Sequence, residues 1–396
     1  MYSGPRSLLI CPWALAEKPL SQVYVLVYVP SLTQTYNAGV SPDTQEPSNA
    51  AEDRLRHYAE ILNPLFWNDS FNNMNLLFEF ACSLVRASGM KDTGWESYNE
   101  SLSFLEDMRR LGEIDLPTEV FPEPLHTRAR LALVAYGHAT EMKTHYELLA
   151  NLLRLRLGKK YCIHPFAHLA TRRTRKINGA KTYKIITPSP EKKIALIEEL
   201  SAQAGLPGVG AALREIHDPV IRNAVFHSDY VLHGTSMRLL SDYWKSPTSQ
   251  VRTPMIQFHE LVKLTTNAFG FHSALIALYR RALKSMTDFR DKFLPYDQHY
   301  KGILEFTFDG DQLTWFRAYW PNGTLGVYCR SLDGSATAVN LEFDPDGSIN
   351  FFVGLYASEP GAFSPCVEAN AQPVYAEVPG TNKRPFWPSV LRAYTL

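Results

Sequence analysis

The sequence predicts a mainly α-helical bundle followed by a C-terminal antiparallel β domain, α+β overall. Three observations carry this. Apolar residues recur at three- and four-residue spacing from Ala51 to about residue 293. Beyond Pro295 that period gives way to short β-branched and aromatic runs. Turn signals separate those runs at regular intervals: Asp309-Gly310-Asp311, Pro321-Asn322-Gly323, Leu332-Asp333-Gly334 and Asp344-Pro345-Asp346-Gly347.

Residues 1–50 read as an extension in which 23–29, β-branched and aromatic, forms one buried strand or an apolar extended arm, and 37–50 a polar loop. Helices are expected near 51–66, 70–88, 96–111 and 124–157. Leu76, Leu77, Phe80 and Leu84 mark the apolar stripe of the second. Pro117, Pro122 and Pro124 break the chain before the fourth, which is apolar over much of its circumference and reads as central. A loop-rich segment spans 158–190, and helices near 190–204 and 208–216 follow. Another helix starts at Pro219, a small hairpin turns at His233-Gly234, and a long helix covers about 252–293. Strands are expected at 303–308, 313–320, 325–330, 337–343 and 349–356. The domains are therefore 1–50, a helical unit at 51–295 and a β-meander unit at 297–396.

With 396 residues, 45% of them hydrophobic, the chain can bury a sizeable core. Forty basic and forty acidic residues cancel, so any nucleic-acid footprint must be local. The five cysteines are scattered and form no CxxC pair, which predicts reduced thiols and a cytoplasmic setting. No run of eighteen apolar residues occurs, so no membrane span is expected. The short apolar run at 8–13, broken by Pro12, does not read as a signal peptide.

Asp218-Pro219-Val220-Ile221-Arg222-Asn223-Ala224-Val225-Phe226-His227-Ser228-Asp229-Tyr230 is the most informative stretch. Asp218 at the N-cap and Pro219 at the first helical position are helix-start signals. On that helix Arg222, Asn223, Phe226, His227 and Tyr230 share an arc of roughly 140°. Ile221, Ala224, Val225 and Ser228 lie opposite. A guanidinium forks onto phosphate, an imidazole moves a proton near neutral pH, and an amide can orient either. The set suits metal-independent RNA cleavage by the substrate's own 2′-hydroxyl. It requires no cofactor.

Arg-Asn, three residues and His resembles the signature of the HEPN superfamily of helical bundles, many of them metal-independent endoribonucleases of toxin–antitoxin, abortive-infection and antiviral systems. The resemblance implies that Arg222, Asn223 and His227 are catalytic and that a homodimer joins two motifs in one cleft. It also implies an RNA substrate, with an antitoxin or other regulatory partner possible in such a setting. The family includes non-cutting members, so a binding module for RNA, nucleotide or protein is the alternative. The catalytic reading expects Arg222 and His227 to be solvent-accessible in a cleft that faces a second copy; their burial in intrachain ion pairs would overturn it.

Arg172, Arg173, Arg175 and Lys176 lie in a basic cluster with Lys159, Lys160, Lys181 and Lys184, interleaved with Tyr161, Phe166 and Tyr183. Together with Tyr230 they are the candidate RNA contacts, by charge and by stacking. Cys162, His164 and His168 lack a fourth ligand at zinc spacing, so no metal site is assigned. His217 and His233 flank the motif as possible second acids or bases. The 205–210 glycines lack the Lys-Ser/Thr of a P-loop, and no paired acids suggest two-metal nuclease chemistry.

Overall fold

A computed structural model describes residues 47–66, 74–88, 97–159, 161–162, 165–177, 180–240, 255–292, 294–296, 302–319, 325–328, 340–343 and 349–352. The strand expected at 23–29, His164 and all residues after 352 fall outside them. The described chain is mainly helical. Its helices are α1 (Pro47–Phe66), α2 (Met74–Ser88), α3 (Ser97–Glu113), α4 (Pro124–Glu141), α5 (Lys143–Arg156), α6 (Pro190–Gln203), α7 (Pro207–Glu215), α8 (Pro219–His227) and α9 (Phe258–Ser285).

The long α9 is the axis of the bundle. Eighteen of its residues are buried, Phe269, Phe271, Ala274 and Leu275 almost completely. It packs along α1 and against α4, where Tyr58, Leu62, Leu133 and Tyr136 close the core. By length and composition it could cross a membrane, but 78% of its most apolar stretch is buried inside the protein, as in a bundle's core helix. A capping box opens it: the Gln257 backbone N–H donates to Glu260 Oε2 at 2.9 Å, and the Gln257 side chain caps in return.

Local signals place α7 against α6. Gly210 of α7 lies so close to α6 that a Cβ there would stand 2.7 Å from the Glu198 Cα and 2.7 Å from Ser201 Oγ. Backbone cannot yield as a side-chain tip can. Gly210→Ala is therefore expected to destabilise the protein by about 1–3 kcal/mol, read as a lower denaturation midpoint at unchanged slope.

One helix was expected over 124–157, and the structure divides it. Met142 adopts an extended conformation (φ −61°, ψ 92°), ending α4 at Glu141 and letting α5 start at Lys143. The apolar pattern runs unbroken across this point, so only packing decides the break. The loop expected at 158–190 also differs. It contains an antiparallel ribbon of β1 (Thr171–Ile177) and β2 (Ala180–Ile186). The long helix begins at Phe258 rather than near 252, because Met255–Gln257 is a strand, β5.

β5 extends the expected hairpin into a three-stranded sheet, β3 (Tyr230–His233), β4 (Ser236–Leu239) and β5. The Leu232–Met237–Ile256 row faces the core, and Val231, Arg238 and Met255 line up on the exposed face. The C-terminal strands form a meander of β6 (Leu294–Tyr296), β7 (Gly302–Asp309), β8 (Gln312–Tyr319) and β9 (Leu325–Tyr328). A separate pair joins β10 (Asn340–Phe343) to β11 (Ile349–Phe352). β6 starts three residues before 297, and Phe306 and Leu313 are buried in the same apolar cluster as the helices.

Candidate active site

Three local contacts fix α8. Asp218 Oδ1 accepts from the backbone N–H groups of Val220 (2.8 Å) and Ile221 (2.9 Å), filling donors that a first turn leaves free. The Asp218 N–H donates to the Tyr136 hydroxyl at 2.8 Å, and that hydroxyl donates to the Ile216 carbonyl at 3.2 Å. Tyr136 of α4 thus clamps the start of α8. At the other end Ser228 takes a left-handed conformation (φ 57°), and its N–H and that of Asp229 close on the Ala224 carbonyl. Ile221 and Ala224 are buried, as the pattern predicts.

Between those ends α8 rests on α4. Gly137 supplies the space: the Phe226 ring would lie 3.3 Å from a Cβ there. Phe226 itself stays about half exposed, and Val134, one turn back on α4, is also exposed.

The motif side chains separate into two environments. Arg222 is mostly covered, its side chain 22% exposed. Its Nη2 pairs with Glu141, its Nη1 donates to Asn223 Oδ1 at 2.6 Å, and its guanidinium lies 5.1 Å over the Phe226 ring. Arg222 Nε is buried with no hydrogen-bond partner. His227 is exposed, and no described residue bonds its ring. Of the two groups that Asn223 could orient, its Oδ1 meets Arg222 and not His227. Accessibility holds for His227. It fails for Arg222, whose fork is occupied by an intrachain carboxylate.

Glu141, which no motif in the sequence singles out, is the partner of Arg222. It is 81 residues from Arg222, at the C-terminal end of α4. An acid there opposes the helix dipole, which marks it as held by something else. The break at Met142 also puts it just ahead of α5, whose positive end favours it. Lys193 of α6 lies nearby, buried, with its ammonium 5.3 Å over the Tyr146 ring. Burial depresses its pKa; Glu141 and Glu147 oppose that, while Lys143 and Arg222 add to it.

His217 is not available as a second acid or base. Its side chain is 1% exposed, Nε2 sits 3.4 Å from Glu191 Oε1, and Nδ1 is buried without a partner. Burial lowers its pKa against the pull of Glu191. His233 is exposed on β3, at the hairpin turn. Tyr230 is half-buried at the start of β3. Arg172, Arg173, Arg175 and Lys176 all fall on β1 of the ribbon.

Cys162 is buried, with its backbone gripped on both sides by the Asn151 carboxamide (2.8 and 2.9 Å). That grip explains the segment structurally, and no metal-binding group of three His, Cys, Asp or Glu occurs among the described residues. An open pocket of about 600 Å³ is lined by Asp115, Glu123, His126, Arg128 and Gly234. It adjoins the first residues of α4, roughly 25 Å along that helix from Glu141, and includes no motif residue. Its polar groups are largely engaged: His126 bonds Glu123 Oε2 and the Gly234 carbonyl, each at 2.8 Å, and Arg128 donates to the carbonyls of Gly112 and Ile114.

Comparison of the chain with protein-family models, curated proteins and solved structures finds no match. The functional reading therefore rests on the motif and its surroundings.

Proposed function

We propose that this chain is a HEPN-like, metal-independent endoribonuclease. One observation carries the reading: Arg222, Asn223 and His227 share one Asp-capped helix, with His227 open to solvent and Arg222 aligned by Asn223. The RNA phosphate takes the place of the Glu141 carboxylate on the Arg222 fork, since both present two anionic oxygens to a planar donor pair. The 2′-hydroxyl gives up its proton and bonds to phosphorus. The P–O5′ bond breaks, and the leaving oxygen takes a proton. His227 serves one of those two proton transfers. Arg222 stabilises the charged phosphorane.

A second copy completes the site in this reading. Exposed Phe226 and Val134 next to the motif support pairing through this face. The setting is cytoplasmic antiviral defence or toxin-type growth control, with a regulatory partner or antitoxin; this part rests on the resemblance alone.

The Arg222–Glu141 pair favours a second reading. A guanidinium already neutralised within its own chain is what a non-catalytic RNA-, nucleotide- or protein-binding bundle would use to fix α8 on α4.

Incubating the full chain with varied RNAs in excess chelator separates the two. Cleavage leaving 2′,3′-cyclic phosphate and 5′-hydroxyl ends is expected. Cleavage that stops in chelator and returns with magnesium would indicate a metal-dependent nuclease instead. Absence of cleavage by folded protein favours the binding module.

A further inference from the structure

We propose that the β1–β2 ribbon is an arm that inserts between the phosphate walls of double-helical RNA. This deepens the ribonuclease reading and rests on it for the choice of RNA over DNA. Residues 171–186 carry Arg172, Arg173, Arg175, Lys176, Lys181 and Lys184 and no acid, in a chain whose charges sum to zero.

The register distributes these cations in an unusual way. Paired residues and every second residue along a strand share a face. Arg173, Arg175 and Lys184 therefore fall on one face, and Arg172, Lys176 and Lys181 on the other, with Tyr183. A strand pair that packs on a core has one apolar face. Here neither face is apolar along its length, and no further strand joins the ribbon among the described residues. Arg173, Thr174 and Ile186 are exposed.

Two pairings set like charges directly opposite: Arg173 with Lys184, and Lys176 with Lys181. Such pairs weaken a ribbon, and a two-stranded ribbon is marginal to begin with. Polyanion on both sides removes the repulsion. A flat anionic surface would meet only one face, and an unpaired strand tracks a single groove. The walls of a duplex groove, or two adjoining duplex segments, meet both.

The test measures binding of the full chain, carrying His227→Ala to prevent cleavage, to a blunt RNA duplex across a salt series. Six phosphate contacts at roughly 0.9 each predict a log–log slope near −5. Arg173→Gln/Arg175→Gln/Lys184→Gln and Arg172→Gln/Lys176→Gln/Lys181→Gln should each reduce it to about half. Arg173→Lys/Arg175→Lys should keep it, because charge rather than shape carries the contact. The RNA duplex should bind more tightly than unpaired RNA, duplex DNA or phosphatidylserine vesicles. If either triple variant leaves the slope unchanged, or any of those three probes binds as tightly, the proposal is overturned. Cleavage of unpaired RNA by the wild type is scored separately. Duplex binding through both faces without cleavage keeps the arm and removes the ribonuclease; cleavage with a one-faced ribbon does the reverse.

Discussion

His227→Ala is expected to slow RNA cleavage by about two to four orders of magnitude, the usual contribution of a positioned acid or base. Its ring is exposed and unbonded among the described residues, so the fold should melt at an unchanged temperature. Arg222→Ala should slow cleavage by about 10²–10³, the loss typical of a donor to a charged transition state. Unlike His227→Ala it should also lower the melting temperature, because Glu141 and Asn223 Oδ1 both lose their donor. Glu141→Gln has the opposite sign for substrate. A neutral amide competes weakly for the guanidinium, so KM for RNA should fall while kcat holds. Steady-state cleavage of labelled RNA, with melting curves of each variant, reads all three. A purely structural Arg222–Glu141 pair predicts that both substitutions shift melting and neither shifts cleavage.

Acid should unfold the protein more steeply than its carboxylates alone predict. His145 of α5 and His272 of α9 are stacked in the core, with Nδ1 to Nδ1 at 2.7 Å. His145 Nε2 meets the Tyr98 hydroxyl at 3.2 Å, and His272 Nε2 is buried without a partner. The two facing nitrogens share one proton, so two imidazolium rings would set N–H against N–H. Burial, and then His272, hold the His145 pKa well below its usual value; burial lowers that of His272 to about 3.

Both folded values lie below the unfolded value near 6.5. The unfolded chain therefore binds more protons once the pH drops below about 6.5. The stability is complete above that pH and is lost as pH falls toward the folded values. Each proton contributes about 1.4 kcal/mol per pH unit, so two contribute about 3. Against a total of about 5–15 kcal/mol, the roughly 6 kcal/mol lost over two pH units is between about a third and all of the stability. Urea titrations at pH 7, 6 and 5 measure this. His272→Gln should roughly halve the dependence, and a flat profile from pH 6.5 to 5 in the wild type would sink the argument.

Several elements were legible because their causes are local. Asp218 and Pro219 start α8 by filling the donors of its own first turn. The Asp-Gly and Asn-Gly turns divide the C-terminal runs, and β7, β8, β9, β10 and β11 fall within the expected runs to within a residue or so at most ends. Asn178-Gly179 is the same kind of signal in the sequence, and the segments on either side of it pair from Ile177–Ala180 outward.

The rest lies beyond local sequence. Met142 offers no helix-breaking chemistry, yet the chain turns there because α4 and α5 pack against different neighbours. The sequence left Asn223 free to orient either Arg222 or His227; in the fold its Oδ1 accepts from Arg222, whose other nitrogen pairs with Glu141. The sequence by itself determined the capped motif helix, the helical period and the short C-terminal strands, since each depends on residues a few positions apart. Only the tertiary structure decided what Arg222 pairs with, whether His217 sees solvent and that two histidines meet in the core. Those outcomes join residues 81, 26 and 127 positions apart, and no local energy connects them until the helices pack.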